Sequence, residues 1–374
     1  MRLGILVPSI GNFGKKGFYN AQETGLAKSI EKYFEEVLVY RMMPLDTEYV
    51  KEKIEGCSHS TMHFVPTRQF GSNGMVDTKL LDTGLDALIL FSDIQIAVPG
   101  IWRWAKKHKI AVYPYIGVVE SHSSHFLIQQ MMRLLFARNL RVYKKCTCLV
   151  KTPEVGEKLR EKGVKDTILA PVGLDLDLMK KDFHRYDRTE LKEKYAFRKN
   201  HKVLLFIGRM TEEKRPLEMI EMFSDIVKRD ADFRLLMIGN GNLDDAVDRL
   251  IEEKKLNGLV KRISKVANCD IWEVYALSHA FVNLNRQEIF GMAILEAMYY
   301  GCKVVAWHAP GPDLILESGS SGYLVENVEE AISAIMNSKD LGECARKRVE
   351  ECFTWKSVAE KIASVIKNGY GVRE

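Results

Sequence analysis

Glu288 and Glu296 are two carboxylates with seven residues between them, in the run Asn285-Arg286-Gln287-Glu288-Ile289-Phe290-Gly291-Met292-Ala293-Ile294-Leu295-Glu296-Ala297-Met298. The strand-like stretch Phe281–Leu284 precedes them, and a helix-forming stretch from Met292 to Tyr300 follows and stops at Gly301. Glu288 is therefore expected in a loop at the carboxyl end of a strand, and Glu296 inside the next helix. Strand carboxyl ends are where open α/β sheets bind ligands. Phe290-Gly291 lets backbone come close to whatever Glu288 touches. In a chain that is 28% charged, two such acids taken alone read as solvated surface. Glu296, however, sits among Leu295, Ala297 and Met298. An acid in apolar surroundings calls for a polar partner.

Three further loops follow expected strands. Gly208, Arg209, Lys214 and Pro216 end Val203–Ile207 with two cations before a helix start. By itself this is a solvated basic loop; beside a strand end it also suits phosphate. Gly239-Asn240-Gly241-Asn242 gives a Gly-rich turn after Leu235–Ile238, and Pro310-Gly311-Pro312 follows Val304–Trp307. In a parallel sheet all four loops share one edge. One ligand carrying phosphates, a ribose and a hydroxylated group would reach all of them. In the first half, Gly11, Gly14 and Gly17 follow the first strand with the spacing G-x-x-G-x-x-G. That pattern is neither a dinucleotide fingerprint nor a P-loop, and reads as a glycine loop lining a cleft.

The elements that must position these groups alternate along the whole chain. Strands are expected at Leu3–Pro8, Val37–Tyr40, Met62–Pro66, Ala87–Phe91, Ala111–Tyr115, Thr147–Lys151 and Ile168–Pro171, then at the four strands above and at Arg262–Lys265. Helices fall between them, including Glu23–Phe34, Ile101–Lys107, Phe126–Leu140, Pro216–Lys228 and Asp245–Lys254. Short apolar strands alternating with helices predict doubly wound parallel sheets. The length of 374 residues suits two domains. The expected division is 1–173 with the final helix at about 354–374, a charged connection at 174–200, and 201–353.

An apolar fraction of 46% excludes a disordered chain, and a net charge of +5 does not indicate nucleic acid. Seven cysteines without a Cys-x-x-Cys pair read as buried free thiols of a reducing cytoplasm, with Cys146 and Cys148 alternating in a strand. The first residues read as a buried strand rather than a signal peptide, and no stretch is long enough to span a bilayer.

The second half resembles the retaining glycosyltransferases of the GT-B fold, family 4. The resemblance rests on Gly208-Arg209 with Lys214, Glu288-Ile-Phe-Gly through Glu296-Ala-Met, Pro310-Gly311-Pro312 and Gly322-Tyr323-Leu324-Val325. Pro171-Val172-Gly173-Leu174-Asp175 is similar to the segment that closes the family's first domain, and Phe353-Thr354-Trp355 to the start of its last helix, which crosses back to that domain. The rest of the first half is similar in architecture only. The resemblance implies two Rossmann-like domains facing across a cleft, and transfer of a sugar from a nucleotide-sugar donor, UDP-linked by family habit, with retention of configuration. Arg209 and Lys214 would hold the donor diphosphate, Glu296 the ribose hydroxyls and Glu288 the sugar hydroxyls. Phe290-Gly291 would lie beside the sugar, and Gly208, Gly239 and Asn240 beside the nucleotide. Gly14 would join the donor side. No cofactor is implied, since the nucleotide sugar is a substrate. The acceptor would come from the first domain: a glycan, a lipid-linked glycan, a protein or a small molecule.

The chain departs from the family at a histidine expected just after Ala111–Tyr115. Ile116 and Gly117 stand there instead, and His122 arrives several residues late. Either a longer loop brings His122 into the role or the histidine is absent. Asp175-Leu176-Asp177 has the form of a metal motif, but it lies in the interdomain connection and two cations already serve the phosphates; no metal is expected. Arg133, Arg138, Arg141, Lys144 and Lys145 accompany the apolar residues of 126–140. This is either a core-facing helix with a solvated basic side or a peripheral membrane contact on the cytoplasmic face. Two rival functions remain at this stage: a non-catalytic subunit of the same fold, and another two-domain enzyme such as a nucleotide-sugar epimerase. A nicotinamide-linked oxidoreductase is disfavoured by the missing glycine fingerprint.

Overall fold

The computed structural model describes residues 1–10, 21–71, 73–120, 126–337 and 339–371. The chain divides into two compact units, Met1–Asp175 with Thr354–Glu374, and Leu176–Phe353.

The first unit contains β1 (Arg2–Val7), α1 (Gln22–Ile30), β2 (Glu36–Pro44), β3 (Val50–Lys53), β4 (Ser60–Phe70), β5 (Asn73–Met75), β6 (Ala87–Phe91), α2 (Val98–Lys107), β7 (Ala111–Ile116), α3 (Phe126–Tyr143), β8 (Cys148–Val150), α4 (Pro153–Glu161) and β9 (Thr167–Leu169). Among the described residues the sheet order is β3-β4-β2-β1-β6-β7-β8-β9, parallel except that β3 and β5 pair antiparallel with β4. The two antiparallel strands were not expected. Both are short, and β3 reads Val-Lys-Glu-Lys with little apolar signal. β1 has buried residues on both faces, as a central parallel strand requires.

The second unit contains α5 (Arg188–Lys194), β10 (Lys202–Ile207), α6 (Pro216–Arg229), β11 (Phe233–Ile238), α7 (Asp244–Glu253), β12 (Val260–Ile263), α8 (Ile271–Leu277), β13 (Ala280–Asn283), α9 (Met292–Tyr299), β14 (Lys303–Trp307), α10 (Pro310–Ile315), β15 (Tyr323–Val325), α11 (Val328–Asn337) and α12 (Gly342–Cys352). Its strands are all parallel, in the order β12-β11-β10-β13-β14-β15. The order reverses between β10 and β13, which is where such sheets leave a crevice. Helix α5 lies inside the charged stretch 174–200 and packs on α8.

The last helix, α13 (Trp355–Gly371), belongs to the first unit and packs on α1. Trp355 donates its backbone N–H to Leu174 O at 3.3 Å. A Cβ on Gly25 would meet the Trp355 ring at 2.3 Å, and one on Gly173 would meet the Trp355 backbone at the same distance. Both positions need glycine for the indole to seat.

Two expectations need correction. Cys146 precedes β8 rather than alternating with Cys148 inside it, and Cys269, Cys344 and Cys352 are exposed; all seven thiols are free. The apolar residues at the start of α3 do not face the core: Phe126, Leu127, Ile128, Met131 and Leu134 are exposed.

Candidate active site

The carboxyl edge of the second sheet is built by backbone packed on backbone. A Cβ on Gly239, whose φ is +128°, would stand 2.0 Å from Gly208 O, and one on Gly241 would stand 2.3 Å from Met210 O. Met210 donates to Asn240 O at 3.0 Å, and Leu243 to Met210 O at 2.9 Å. The loops after β10 and β11 are thus locked together. These glycines, expected beside a nucleotide, also admit the neighbouring loop. The loops after β13 and β14 are joined in the same way. Gly311 donates to Glu288 O at 3.0 Å, and a Cβ there would lie 1.9 Å from Phe290 O. Gly291 takes φ +102° to start α9, a conformation that favours glycine.

β10 and β13 are neighbours, so the loop holding Lys214 lies beside the loop holding Glu288. Lys214 Nζ donates to Glu288 Oε2 at 2.7 Å, and the side chains are 24% and 15% exposed. The amides of Asn283 and Asn285 donate to the same oxygen, each at 3.2 Å. Asn283 Oδ1 in turn accepts from Asn285 N, and Asn285 Oδ1 from Gln287 N, both at 2.9 Å. These bonds fix both amides as donors toward Glu288. Burial pushes the Glu288 carboxyl up, but the charge and hydrogen bond of Lys214, with the two amides, hold it below the usual carboxylate range. Sequence reasoning gave Asn283 and Asn285 no role, although their spacing of five and three residues before Glu288 was a usable signal.

Glu296 is buried in α9, where Oε2 accepts from the Tyr275 hydroxyl of α8 at 2.9 Å. This is the polar partner that its apolar neighbours called for; nothing in the sequence singled out Tyr275. Burial pushes the carboxyl up to about 7, against the opposing hydrogen bond. Two glutamates on one sheet edge are therefore set apart: Glu288 is a held carboxylate, and Glu296 is poised between charged and neutral near neutral pH.

Arg209 behaves differently from Lys214. Its side chain is 70% exposed and paired with Glu213. Lys214 ends a short turn, Glu212–Lys214, closed by Arg215 in the left-handed region at φ 56°. Arg215 bonds Glu218 at 2.6 Å. A non-glycine residue held there stores local strain that the surrounding structure must pin.

In the first unit, β7 ends at Ile116. Gly117 and Val118 donate their backbone N–H groups to Asp93 Oδ1 at 2.5 and 3.0 Å. Lys151, which follows β8, is buried with Nζ 3.4 Å from Asp93 Oδ2 and 5.0 Å from the centroid of Tyr115. A Cβ on Gly117 would meet Lys151 Cδ at 2.5 Å. Where a family histidine was expected, the strand ends thus carry a lysine–aspartate pair that sequence reasoning missed. His122 and Gly14 lie outside the described residues. Asp175 is 3.8 Å from Lys28, and Asp177 is 3.1 Å from Lys181. Among the described residues no cluster of His, Cys, Asp or Glu is arranged to hold a metal ion.

Two largely parallel sheets, with glycine-containing loops on the strand carboxyl edge of the second and a final helix returned to the first unit, define the GT-B class of fold. Solved structures agree. Sucrose-phosphate synthase from Thermosynechococcus elongatus matches with a TM-score of 0.74 over 99% of both chains at 15% identity. Anabaena HepE, solved with UDP, matches with a TM-score of 0.74 over 98% of this chain and 100% of that one at 16% identity. Residues 187–351, most of the second unit, match the family model described as glycosyl transferases group 1. Among curated relatives, the N-acetyl-alpha-D-glucosaminyl L-malate synthase of Bacillus anthracis is 27% identical over 197 residues, 50% of each chain. The alpha-monoglucosyldiacylglycerol synthase of Acholeplasma laidlawii is 23% identical over 270 residues, 69% of this chain and 68% of that one. The chain thus spans half the length of the first and about two thirds of the second.

Proposed function

We propose that the protein transfers a hexose from a nucleotide-sugar donor, UDP-linked, to a hydroxyl of an acceptor, with retention of anomeric configuration and without a metal ion. The observation that carries this reading is the Lys214–Glu288 pair, held at the switch point of the second sheet by Asn283 and Asn285. A cation and an oriented carboxylate side by side suit a ligand whose leaving diphosphate adjoins a polyhydroxylated ring. In this reading Lys214 and Arg209 neutralise the charge that grows on the diphosphate as the glycosidic bond breaks. Arg209, solvent-exposed and held by Glu213 alone among the described residues, is exchangeable toward a phosphate. Glu288 accepts from sugar hydroxyls and stabilises positive charge developing on the ring. Glu296 accepts from the ribose hydroxyls, and the crossed loops at Gly208 and Gly239-Asn240 take the nucleotide. A hydroxylated acceptor belongs to the first unit, with Asp93 and Lys151 at its strand ends. Seven free thiols suit a reducing compartment, hence the cytoplasm.

The UDP found with HepE and the hexose- or hexosamine-derived names of the relatives support a UDP-hexose donor. The relatives' names differ in acceptor, malate in one and a glycerolipid in the other, so likeness does not choose among acceptors. The test is a donor screen in which UDP-, GDP- and ADP-linked glucose, galactose, mannose and N-acetylglucosamine are incubated with the protein. Released nucleotide and the anomer first formed are read by NMR. Nucleotide release from one UDP-sugar with a retained anomer supports the proposal; no release from any donor, with or without added sugar or lipid acceptors, overturns it.

A further inference from the structure

Helix α3 carries two apolar faces. Its second half sends Phe136, Val142 and Tyr143 into the core of the first unit. In its first half Met132 and Leu135 pack against the same core, but other large apolar side chains stay outside it. Leu127, Met131 and Leu134, at i, i+4 and i+7, form one stripe and are 79%, 41% and 74% exposed. Phe126, 68% exposed, and Ile128 flank its start. Single exposed leucines are ordinary, but five large apolar side chains gathered on two helical turns mark an interaction surface.

The charges on the same helix say what kind of surface would cover it. Arg133, Arg138, Arg141, Lys144 and Lys145 are exposed, and residues 126–145 contain no Asp or Glu in a chain that carries 50. Arg138 reaches Ile96 O, and Lys145 lies 5.0 Å from the centroid of Trp102, so these two long side chains are held against the unit while their charges remain at its surface. The helix is thus apolar toward its amino end and cationic toward its carboxyl end. A second copy packed stripe to stripe would bring no acid from its own helix to meet the five cations, since residues 126–145 hold none. No described helix is long and apolar enough to cross a bilayer. A helix with an apolar surface at one end, a basic surface at the other and no acid matches acyl chains beside anionic headgroups.

We propose that α3 docks the first unit on an anionic membrane surface, lying in the plane of the bilayer with Leu127, Met131 and Leu134 among the acyl chains and the basic residues against the phosphates. The surface stands independently of the sugar-transfer reading, since its readout is lipid binding.

The full chain is sedimented with vesicles of phosphatidylcholine alone and of phosphatidylcholine with about 30% phosphatidylglycerol. Binding is expected to the anionic vesicles only, weakening as salt rises. The double variant Leu127→Glu/Leu134→Glu alters two exposed positions, so its melting temperature should match the parent, while its vesicle affinity falls about tenfold or more. The emission of Leu127→Trp should shift to the blue on anionic vesicles as the ring leaves water. Absence of vesicle binding overturns the proposal, as does full binding by the double variant. A dimer in analytical ultracentrifugation that the double variant abolishes would instead assign the stripe to a second copy of the chain.

Discussion

Lys214 Nζ lies 2.7 Å from Glu288 Oε2, across 74 residues of sequence, because β10 and β13 are neighbours at the point where strand order reverses. The two groups that the reaction would use separately are thus one unit at rest. Lys214 stabilises the charged form of Glu288, and in the proposed reading a donor is bound by both together.

Removing the cation should expose this coupling. The Glu288 pKa is held below its ordinary value of 4.5, so its contribution to stability is present above that value and lost as pH falls through the folded one. Lys214→Met leaves a mostly buried carboxylate facing only the two amides. The variant should lose about 2 kcal/mol at neutral pH, less than for a fully buried pair because both side chains keep some water. The deficit should shrink as pH falls below the ordinary carboxyl value of 4.5 and acid protonates Glu288 in either protein. Thermal melts of both proteins across pH check this; a deficit that does not change with pH excludes the coupling.

Glu296 should respond in the opposite sense. Its pKa is raised to about 7 by burial. Its contribution to stability is complete below the unfolded value near 4.5 and is lost as pH rises toward 7, and Glu296→Gln should flatten that slope. Ribose hydroxyls donate to a carboxylate better than to a carboxylic acid, so UDP affinity in the parent should rise between about pH 6 and pH 8. Calorimetric titration with UDP reads this directly, and an affinity independent of pH would remove Glu296 from the nucleotide site.

Arg209 and Glu288 should separate catalysis from folding. Arg209 is exposed and paired only with Glu213 among the bonds described, so Arg209→Ala should change stability by less than about 0.5 kcal/mol. Its loss should still cost about 2–4 kcal/mol in the barrier, which is about 30- to 1000-fold in turnover. Glu288→Gln should lower kcat while UDP affinity holds, because the sugar and not the nucleotide faces it. Steady-state kinetics beside UDP calorimetry distinguish these outcomes from a general loss of fold.

Chelation is the simplest check of who neutralises the phosphates. If Arg209 and Lys214 do so, turnover should survive EDTA unchanged. Full loss restored by Mn²⁺ would transfer that role to a metal ion.

Gly239→Ala should be destabilising whatever the ligand. A left-handed φ of +128° and an oxygen 2.0 Å from the new Cβ force the β10 and β11 loops apart, at a cost of about 2–4 kcal/mol. A melting temperature equal to the parent's would show that the loops are not locked.

Much of this edge was legible because short apolar runs with Gly-rich ends fix which loops share a sheet edge. Glu288, Lys214 and Gly239 were placed on it, and Glu296 in the helix behind it, from the alternation of strands and helices. The pairing within the edge was not legible. Lys214 meets Glu288 through the adjacency of β10 and β13, a crossover that local pattern does not encode. Tyr275 reaches Glu296 from another helix with no sequence mark. The glycines were found, but the contact between their loops was not foreseen, since a close-approach requirement looks the same whether the neighbour is a ligand or a loop. In the first unit, Asp93 and Lys151 are single charges in apolar surroundings with no motif about them. The start of α3 was misjudged because apolar residues at helical spacing are ordinarily buried, and here they are not.

The seat of Trp355 between Gly25 and Gly173 has a consequence for how the chain is made. Residues 176–353 are continuous, so the second unit can complete its fold as soon as it has left the ribosome. The first unit cannot: α1, synthesised early, waits for α13, which emerges after the second unit, before its apolar face is covered. The half made first is therefore the half finished last, and it remains open throughout the synthesis of its neighbour.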